Sequence, residues 1–299
     1  SYRFVARQIK ASPRMKSSFA LAAAYTFILS ALKMPSVAGS SSHLTGTTLG
    51  TLTIGPMAMP LVGAIVLLFQ ALLLAHGGIS TLGANIFSLS IAGPFVAYAL
   101  YRLLTSARLP KNLVIFIATF CGSMATYIVT SFQLAVVYPD TVTGVMGAAW
   151  KFLGIFAITQ VPLSIIEGIL TVIVLRLLEK SQAKTATSVE ASSTQTSTKS
   201  SLRPQFIWLS ILAVVCLALP ILAGLFDIGA GTDDQAGDMI GRLTPGFNPT
   251  PFLESFEPSE FAEPLLFALQ VAIGIALFAW GYYQLIYKRH QSKQKEQEA

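Results

Sequence analysis

Apolar residues in this chain form long uninterrupted blocks, which short polar stretches separate. Most blocks are roughly 17–30 residues long, and a helix of about 20 residues crosses a bilayer hydrocarbon core about 30 Å thick. The pattern predicts an all-α membrane protein with several membrane-spanning helices, because each block is long enough to cross the bilayer.

The block boundaries predict six spans in the first part of the chain. These predicted spans cover residues 17–32, 44–58, 59–75, 83–104, 112–137 and 145–178. The charge-free stretch that holds the second and third spans is divided at the helix breakers Gly55, Pro56 and Pro60. One single span there would place the basic loop at 102–111 on the outer side, against the positive-inside rule. We expect the long sixth span to be tilted or broken at Pro162.

A polar segment divides the chain after the sixth span. Residues 181–204 are rich in Ser, Thr, Gln and Ala, a composition that cannot pack a core and is typical of a flexible cytoplasmic linker. Two further apolar blocks, at 205–226 and 264–287, predict a membrane-spanning hairpin. The sequence therefore predicts a six-span bundle at 1–180, the linker, and a two-span hairpin module at 205–299.

Composition and charge agree with a membrane protein. The chain is 53% apolar and 11% charged, whereas soluble domains carry about 25% charged residues. Its net charge of +6 does not indicate nucleic-acid binding, because the basic residues lie in short loops and termini. That placement marks the cytoplasmic side, so we expect both termini of the chain to be cytoplasmic. Cys121 and Cys216 lie inside apolar blocks and are interpreted as packing residues.

The predicted outer loop of the hairpin module, residues 227–263, is acidic. It contains one base, Arg242, and eight of the fourteen acidic residues: Asp227, Asp233, Asp234, Asp238, Glu254, Glu257, Glu260 and Glu263. Such a loop can raise the local cation concentration at the outer face, or it can dock on the first module. We favour docking because proline and phenylalanine separate the acidic residues, and we expect the prolines to prevent a long helix.

Catalytic sequence motifs are absent from the chain. It contains no H-E-x-x-H zinc motif, no G-x-S-x-G nucleophile motif and no Walker phosphate loop. We therefore predict a protein that is not an enzyme, and any active uptake must take its energy from a partner or from an ion gradient. The enzymatic alternative is an intramembrane hydrolase that uses Glu167 and a metal-bound histidine. The non-transporting alternative is a membrane scaffold without a ligand.

The three histidines indicate where metal chemistry can take place. His43 and His76 fall at predicted outer ends of spans, whereas His290 lies in the basic tail and is expected to be inert. Imidazole nitrogen binds divalent cobalt, nickel, copper and zinc. We predict His43 as a metal ligand; the alternative for either outer histidine is an interfacial hydrogen-bonding group.

His43 lies in a segment of small hydroxyl residues, G-S-S-S-H-L-T-G-T at 39–47. Such residues let the backbone approach a ligand closely and fix the imidazole by hydrogen bonds; a plain Ser/Thr-rich turn is the alternative. His76 opens a tight turn and Asn85 follows it, with helix capping as the alternative role. The residues predicted to support or gate the site are Ser41, Ser42, Thr45, Thr47, His76 and Asn85.

Glu167 is a carboxylate within the sixth predicted span, and Lys151 lies near the outer end of the same span. A charged group inside the membrane is costly and usually faces protein or a cavity. The two residues are sixteen positions apart, about 24 Å along a helix, so they cannot pair with each other. We expect Glu167 to make a structural contact within the bundle or with a partner helix.

Several continuous segments carry a resemblance to known proteins. In the first module they are S-A-L-K-M-P-S-V at 30–37, residues 39–50, V-L-L-F-Q-A-L-L-L-A-H-G-G at 66–78 and T-L-G-A-N at 81–85. These resemble CbiM, the cobalt-specific substrate-binding component of energy-coupling factor (ECF) transporters. In the second module they are G-T-D-D-Q-A at 231–236, P-G-F-N-P at 245–249, E-P-S at 257–259 and L-L-F-A-L-Q at 265–270. These resemble CbiN, so the chain is similar to a CbiM–CbiN fusion.

The resemblance implies a cobalt uptake component in the inner membrane of a prokaryotic cell. It implies Co²⁺ as the transported ion, with no resident cofactor, for use in cobalamin biosynthesis. A CbiQ-like transmembrane coupling protein and CbiO-like ATPases would drive transport, while the substrate-binding unit topples in the bilayer. Nickel is the alternative cargo, since imidazole and amino nitrogens bind nickel more tightly than cobalt.

The resemblance also implies a ligand set. Members of the family bind the ion with the amino-terminal nitrogen and the histidine of a Met-His start and with a loop histidine, which corresponds to His43. The Met-His start and the span after it are not in this sequence, and Leu44 stands where many members have proline. The sequence is then either a fragment whose remaining ligands precede Ser1, which we favour, or a chain that does not bind metal in the way of the family.

Overall fold

The computed structural model describes residues 2–11, 13–31, 33–35, 41–73, 81–191, 232–244 and 262–283. These residues are mostly helical, as the sequence predicts. In chain order the helices are α1 (Tyr2–Ala11), α2 (Pro13–Ala31), α3 (Thr47–Ile54), α4 (Met59–Leu73), α5 (Leu82–Asn85), α6 (Gly93–Ser106), α7 (Lys111–Val137), α8 (Gly144–Ala191), α9 (Thr232–Leu243) and α10 (Ala262–Tyr282). A π-helical segment, Ile86–Ala92, joins α5 to α6.

Three helical stretches in the described part of the chain are long and apolar enough to cross a membrane. They are Leu82–Ser106, Lys111–Val137 and Gly144–Lys180, and they match the last three predicted spans of the first module. Of the two alternatives for the sixth span, a tilt or a break at Pro162, the break is not present, because α8 continues through this residue. Proline removes one backbone hydrogen bond from a helix, and α8, which packs along α7, remains helical on both sides of it.

The remaining predicted spans of the first module are shorter as helices. The first corresponds to α2, which has 19 residues, and the third to α4, which has 15. The second contains α3, whose eight residues extend about 12 Å, less than half of the hydrocarbon thickness. Gly46 and Gly55, with φ of 66° and 90°, flank α3 and stop the helix at both ends. The six-span count is therefore not confirmed.

The second module is described in part. The predicted span at 205–226 lies outside the described residues, whereas α10 corresponds to the predicted span at 264–287. The acidic loop contains α9, a helix of twelve residues that ends at Leu243, just before Pro245. The predicted linker begins inside α8, since this helix continues to Ala191.

Both described helices of the second module pack on the first. Leu243 of α9 is buried in an apolar cluster with Ala135, Phe152 and Phe156 of α7 and α8, so the predicted docking of the acidic loop is confirmed for α9. Helix α10 lies along α2, where Gln270 Nε2 donates to the Phe27 carbonyl at 2.9 Å.

Two short strands interrupt the helical pattern between α2 and α3. Strand β1 (Lys33–Pro35) pairs antiparallel with β2 (Ser41–His43), with Lys33 opposite His43. Paired strands satisfy backbone groups that no helix satisfies here. After β2 the chain enters the bundle, where Leu44 is 2% exposed and packs in the main apolar cluster with residues of α2 and α8. The described residues are mostly helical, and this short hairpin, which positions His43, is the exception.

Candidate functional site

His43 ends β2 at the point where the chain turns into the bundle. Its side chain is half-buried, and Nδ1 lies 3.0 Å from the carbonyl oxygen of Leu44. Because a carbonyl oxygen only accepts, this hydrogen bond places the proton on Nδ1 and leaves the lone pair of the neutral ring on Nε2. A metal-binding imidazole has this form, in which one nitrogen donates to a carbonyl and the other carries the lone pair.

The backbone around His43 is held by two helices of the bundle. Tyr127 of α7 donates from its hydroxyl to the His43 carbonyl at 2.7 Å. Thr26 of α2 donates from Oγ1 to the Gly46 carbonyl at 3.1 Å. Gly46 lies so close to α2 that a Cβ atom there would be 2.9 Å from Thr26 Cα. The four residues His43–Gly46 therefore form a fixed segment, which we call the His43 segment.

A third helix holds the His43 segment through a single carboxylate. Glu167 of α8 is fully buried. Its Oε1 accepts from Thr45 Oγ1 at 2.6 Å and from the Gly46 N–H at 2.9 Å. Its Oε2 accepts from the Thr45 N–H at 2.8 Å and from Ser123 Oγ at 3.1 Å. The carboxylate thus joins the His43 segment, α7 and α8 inside the bundle.

The other predicted site residues divide into those beside the His43 segment and those elsewhere. Thr45 and Thr47 are buried, and their Oγ1 atoms lie 3.4 Å apart. Ser41 and Ser42 lie in β2, next to His43 along the chain. Asn85 is the last residue of α5, and its Nδ2 donates to Thr81 Oγ1 at 3.4 Å. His76 lies outside the described residues.

Sequence reasoning did not identify the residues that hold the His43 segment from α2 and α7. Ser123 and Tyr127 are four positions apart within an apolar helix, so they share one helical face. That spacing is a usable signal, since polar residues on one face of a membrane helix usually face protein. Thr26 has the same spacing to Ser30 in α2, but only the structure reveals its contact with Gly46.

Asp140 was also missed, although it pairs with Lys151. It lies in the turn between α7 and α8, accepts from the N–H groups of Val142 and Thr143 at 2.8 and 3.0 Å, and forms an ion pair with the Lys151 ammonium. The Lys151 ammonium, followed by these two N–H donors, holds the pKa of Asp140 well below its usual range. The carboxylate partner of Lys151 is therefore Asp140 in the turn and not Glu167.

The described part of the chain contains no group of three or more His, Cys, Asp or Glu side chains that could hold a metal ion. His43 is the one histidine among the described residues. The described structure thus presents one imidazole on a fixed segment.

Two protein families match different parts of the chain. Residues 2–185 match the CbiM family, described as the cobalt uptake substrate-specific transmembrane region. Residues 200–298 match CbiN, described as a cobalt transport protein component.

Curated relatives and one solved structure agree with the first match. The cobalt transport protein CbiM of Moorella thermoacetica is 55% identical over 176 residues, which is 59% of this chain and 68% of the relative. The protein of the same name from Chlorobium limicola is 54% identical over 173 residues, 58% of this chain and 68% of the relative. A crystal structure of a truncated transition metal transporter superposes with a TM-score of 0.50 at 28% identity, over 59% of this chain and 86% of its own.

The family match at the first module covers more than half of the chain. The relatives are transport proteins, and the long apolar helices agree with a location in a membrane. This chain therefore belongs to the CbiM family of cobalt uptake membrane proteins, carries a CbiN component in the same polypeptide, and is a transport component rather than an enzyme.

Proposed function

We propose that this chain is the substrate-binding membrane component of an ATP-driven cobalt importer, and that His43 binds the transported Co²⁺ through Nε2. The observation that carries the proposal is the hydrogen bond from His43 Nδ1 to the Leu44 carbonyl. It places the proton of the neutral ring on Nδ1, so the lone pair that can bind a metal is on Nε2. The rest of the segment is held by α2, α7 and α8, so the imidazole does not need to be ordered when the ion arrives.

The energy for uptake comes from other subunits in this proposal. The sequence contains no Walker phosphate loop, and membership of a transport-component family implies membrane partners. We assign these roles to a CbiQ-like coupling protein and CbiO-like ATPases. The component lies in the inner membrane of a prokaryotic cell with both termini cytoplasmic and delivers cobalt for cobalamin biosynthesis.

The proposed division of labour follows the two modules. Residues 1–180 form the substrate-binding unit, residues 181–204 connect it to the hairpin module, and residues 205–299 form the companion unit. The family matches support this division, since they end at 185 and begin again at 200. Helix α9 of the companion unit packs on α7 and α8.

We propose cobalt rather than nickel as the transported ion on the basis of the family match, because the histidine ligand does not distinguish the two ions. Imidazole binds nickel at least as well as cobalt, whereas the matching family and its curated members are described by cobalt. Accumulation assays with both ions present would separate the two, and a scaffold without a ligand would accumulate neither.

The direct test is the loss of the imidazole. We expect His43→Ala, in the complete transporter within cells, to reduce accumulation of radioactive cobalt to the level of cells without the transporter. The matched control is His290→Ala, which removes an imidazole from the basic tail and is expected to accumulate cobalt normally. Normal accumulation by His43→Ala, at equal protein levels in the membrane, would contradict the proposal.

A further inference from the structure

We infer that Glu167 is a positioning residue for cobalt binding: from inside the bundle, its carboxylate fixes the backbone of Thr45 and Gly46 and thereby the location of the His43 imidazole. The expected effect of Glu167 on cobalt binding rests on the proposed function. Its expected effect on the position of the His43 segment does not rest on that function, because it follows from the hydrogen bonds of Glu167 alone.

The hydrogen bonds to Glu167 use the full accepting capacity of a carboxylate. Two carboxylate oxygens offer about four lone-pair sites, and four donors reach them, two on each oxygen. Two of these donors are backbone N–H groups, which cannot accept a hydrogen bond in return. Each oxygen takes one of these N–H groups, so the side chain at position 167 must present two acceptor atoms to the His43 segment.

The Glu167 carboxylate also lies beside the N-terminus of α3. Gly46 immediately precedes α3, so its N–H lies at the helix N-terminus. The N-terminus of a helix carries partial positive charge, and a carboxylate there is stabilising. A fully buried carboxylate requires such partners, because an isolated charge in an apolar bundle is very costly. The segment and the carboxylate therefore stabilise each other, which makes the location of His43 depend on α8.

Thr171, on the same face of α8 as Glu167, is a buried polar residue that serves as a comparison. Thr171 lies four positions after Glu167, is also fully buried, and shares a hydrogen bond of 3.3 Å with the Tyr25 hydroxyl of α2. This bond joins α2 to α8 and includes no atom of the His43 segment. Thr171 is therefore the matched comparison for a buried hydrogen bond that holds the bundle without holding the segment.

The test replaces one acceptor oxygen with a donor of the same shape. In Glu167→Gln the side chain keeps its size, but the amide nitrogen must face the N–H of either Thr45 or Gly46, so one backbone bond is lost in either orientation. In the purified chain without cobalt, we expect backbone amide exchange in peptides covering residues 41–54 to become about tenfold faster or more. In the complete transporter, we expect the KM for cobalt uptake to rise by about tenfold at equal amounts of membrane protein.

Two further variants distinguish positioning from general destabilisation. Ser123→Ala removes one of the four hydrogen bonds and leaves both bonds from backbone N–H groups in place. We therefore expect amide exchange at 41–54 and the KM for cobalt each to increase by only about twofold. Thr171→Val removes the bond to Tyr25, and we expect it to leave both amide exchange at 41–54 and the cobalt KM unchanged. Because Ser123→Ala keeps the carboxylate, the comparison remains informative even if Glu167→Gln does not fold.

Unchanged exchange at 41–54 in a folded Glu167→Gln, or in Ser123→Ala if that variant alone folds, would overturn the inference. Faster exchange with an unchanged cobalt KM would also overturn it, because the segment would then move without consequence for the ion. Failure of the proposed function gives a different result. In that case His43→Ala accumulates cobalt normally, while Glu167→Gln still loosens the segment.

Discussion

Single hydrogen bonds hold a polar segment inside an apolar bundle. The His43 and Gly46 carbonyls accept from Tyr127 and Thr26, and the Thr45 N–H donates to Glu167. An unpaired backbone group in a buried position costs about as much as a lost hydrogen bond. These side chains therefore allow irregular backbone to enter the bundle, which membrane proteins tolerate only where the backbone is enclosed by protein.

The ion pair of Asp140 with Lys151 leads us to predict how the stability of the protein depends on pH. The folded pKa of Asp140 is lowered, so its contribution to stability is present above the ordinary pKa of about 3.9 and is lost as the pH falls through the lowered value. We expect Asp140→Asn to lower the Tm of the purified chain by about 2 °C at neutral pH. The difference between the two proteins should stay constant down to about pH 5 and shrink at lower pH.

The control for this pH prediction is Glu179→Gln. Glu179 pairs with Lys111, but both side chains are more than half exposed, and exposed ion pairs contribute little to stability. We expect this variant to have the same Tm as the unsubstituted chain at every pH. A Tm difference for Asp140→Asn that grows on acidification would contradict the account.

At the residue scale, the sequence identified His43 and Glu167 as candidates but not their connection. Thr45 and Glu167 are 122 positions apart, and hydrophobic patterning contains no information about contacts over that separation. The cost of an intramembrane carboxylate predicts that Glu167 has a partner. Only the fold determines that the partner is the backbone beside His43.

At the scale of elements, the pattern of apolar blocks predicted the long helices, whereas the short helices do not confirm the predicted number of spans. The helices Lys111–Val137 and Gly144–Lys180 follow from block length. Block length does not distinguish a short span from a short helix buried among other helices, because both lie in one continuous stretch without charged residues. Helix α3 is of the second kind, with most of its residues buried. The β1–β2 hairpin was missed because three-residue strands give no periodic signal.

Helix α10 is fixed on α2 by a close approach that requires a small residue. A Cβ atom at Gly274 would overlap the Ile28 side chain and lie 3.4 Å from the Ala24 carbonyl. Small residues at such points let membrane helices pack closely, where dispersion and polar contacts hold them. Gln270, one turn earlier on α10, adds its bond to the Phe27 carbonyl.

This packing predicts that Gly274→Leu separates the two modules. A protease site placed between residues 192 and 200 allows the purified full chain to be cut after folding. We expect the two parts of the unsubstituted chain to elute together on size exclusion, and roughly half or more of the second part to elute separately in Gly274→Leu. The matched control is Ala272→Leu, on an exposed position of α10, which should elute like the unsubstituted chain. Co-elution of the parts in Gly274→Leu would contradict a role for this contact.

At the scale of the whole molecule, both modules converge on the His43 segment. The first module holds the segment through α2, α7 and α8, and α9 of the second module packs on α7 and α8. Helix α10 packs on α2, the helix that contacts Gly46. The three helices that hold the segment by hydrogen bonds, α2, α7 and α8, are therefore also helices that the second module contacts.

The most direct measurement of the central claim is cobalt K-edge X-ray absorption of the cobalt-loaded protein. We expect scattering from imidazole carbons in the unsubstituted protein and in His290→Ala, because Nε2 of His43 binds the ion. In His43→Ala the contribution of one imidazole should disappear, with a loss of cobalt from the protein. Identical spectra and cobalt content in all three proteins would contradict the assignment of His43 as a ligand.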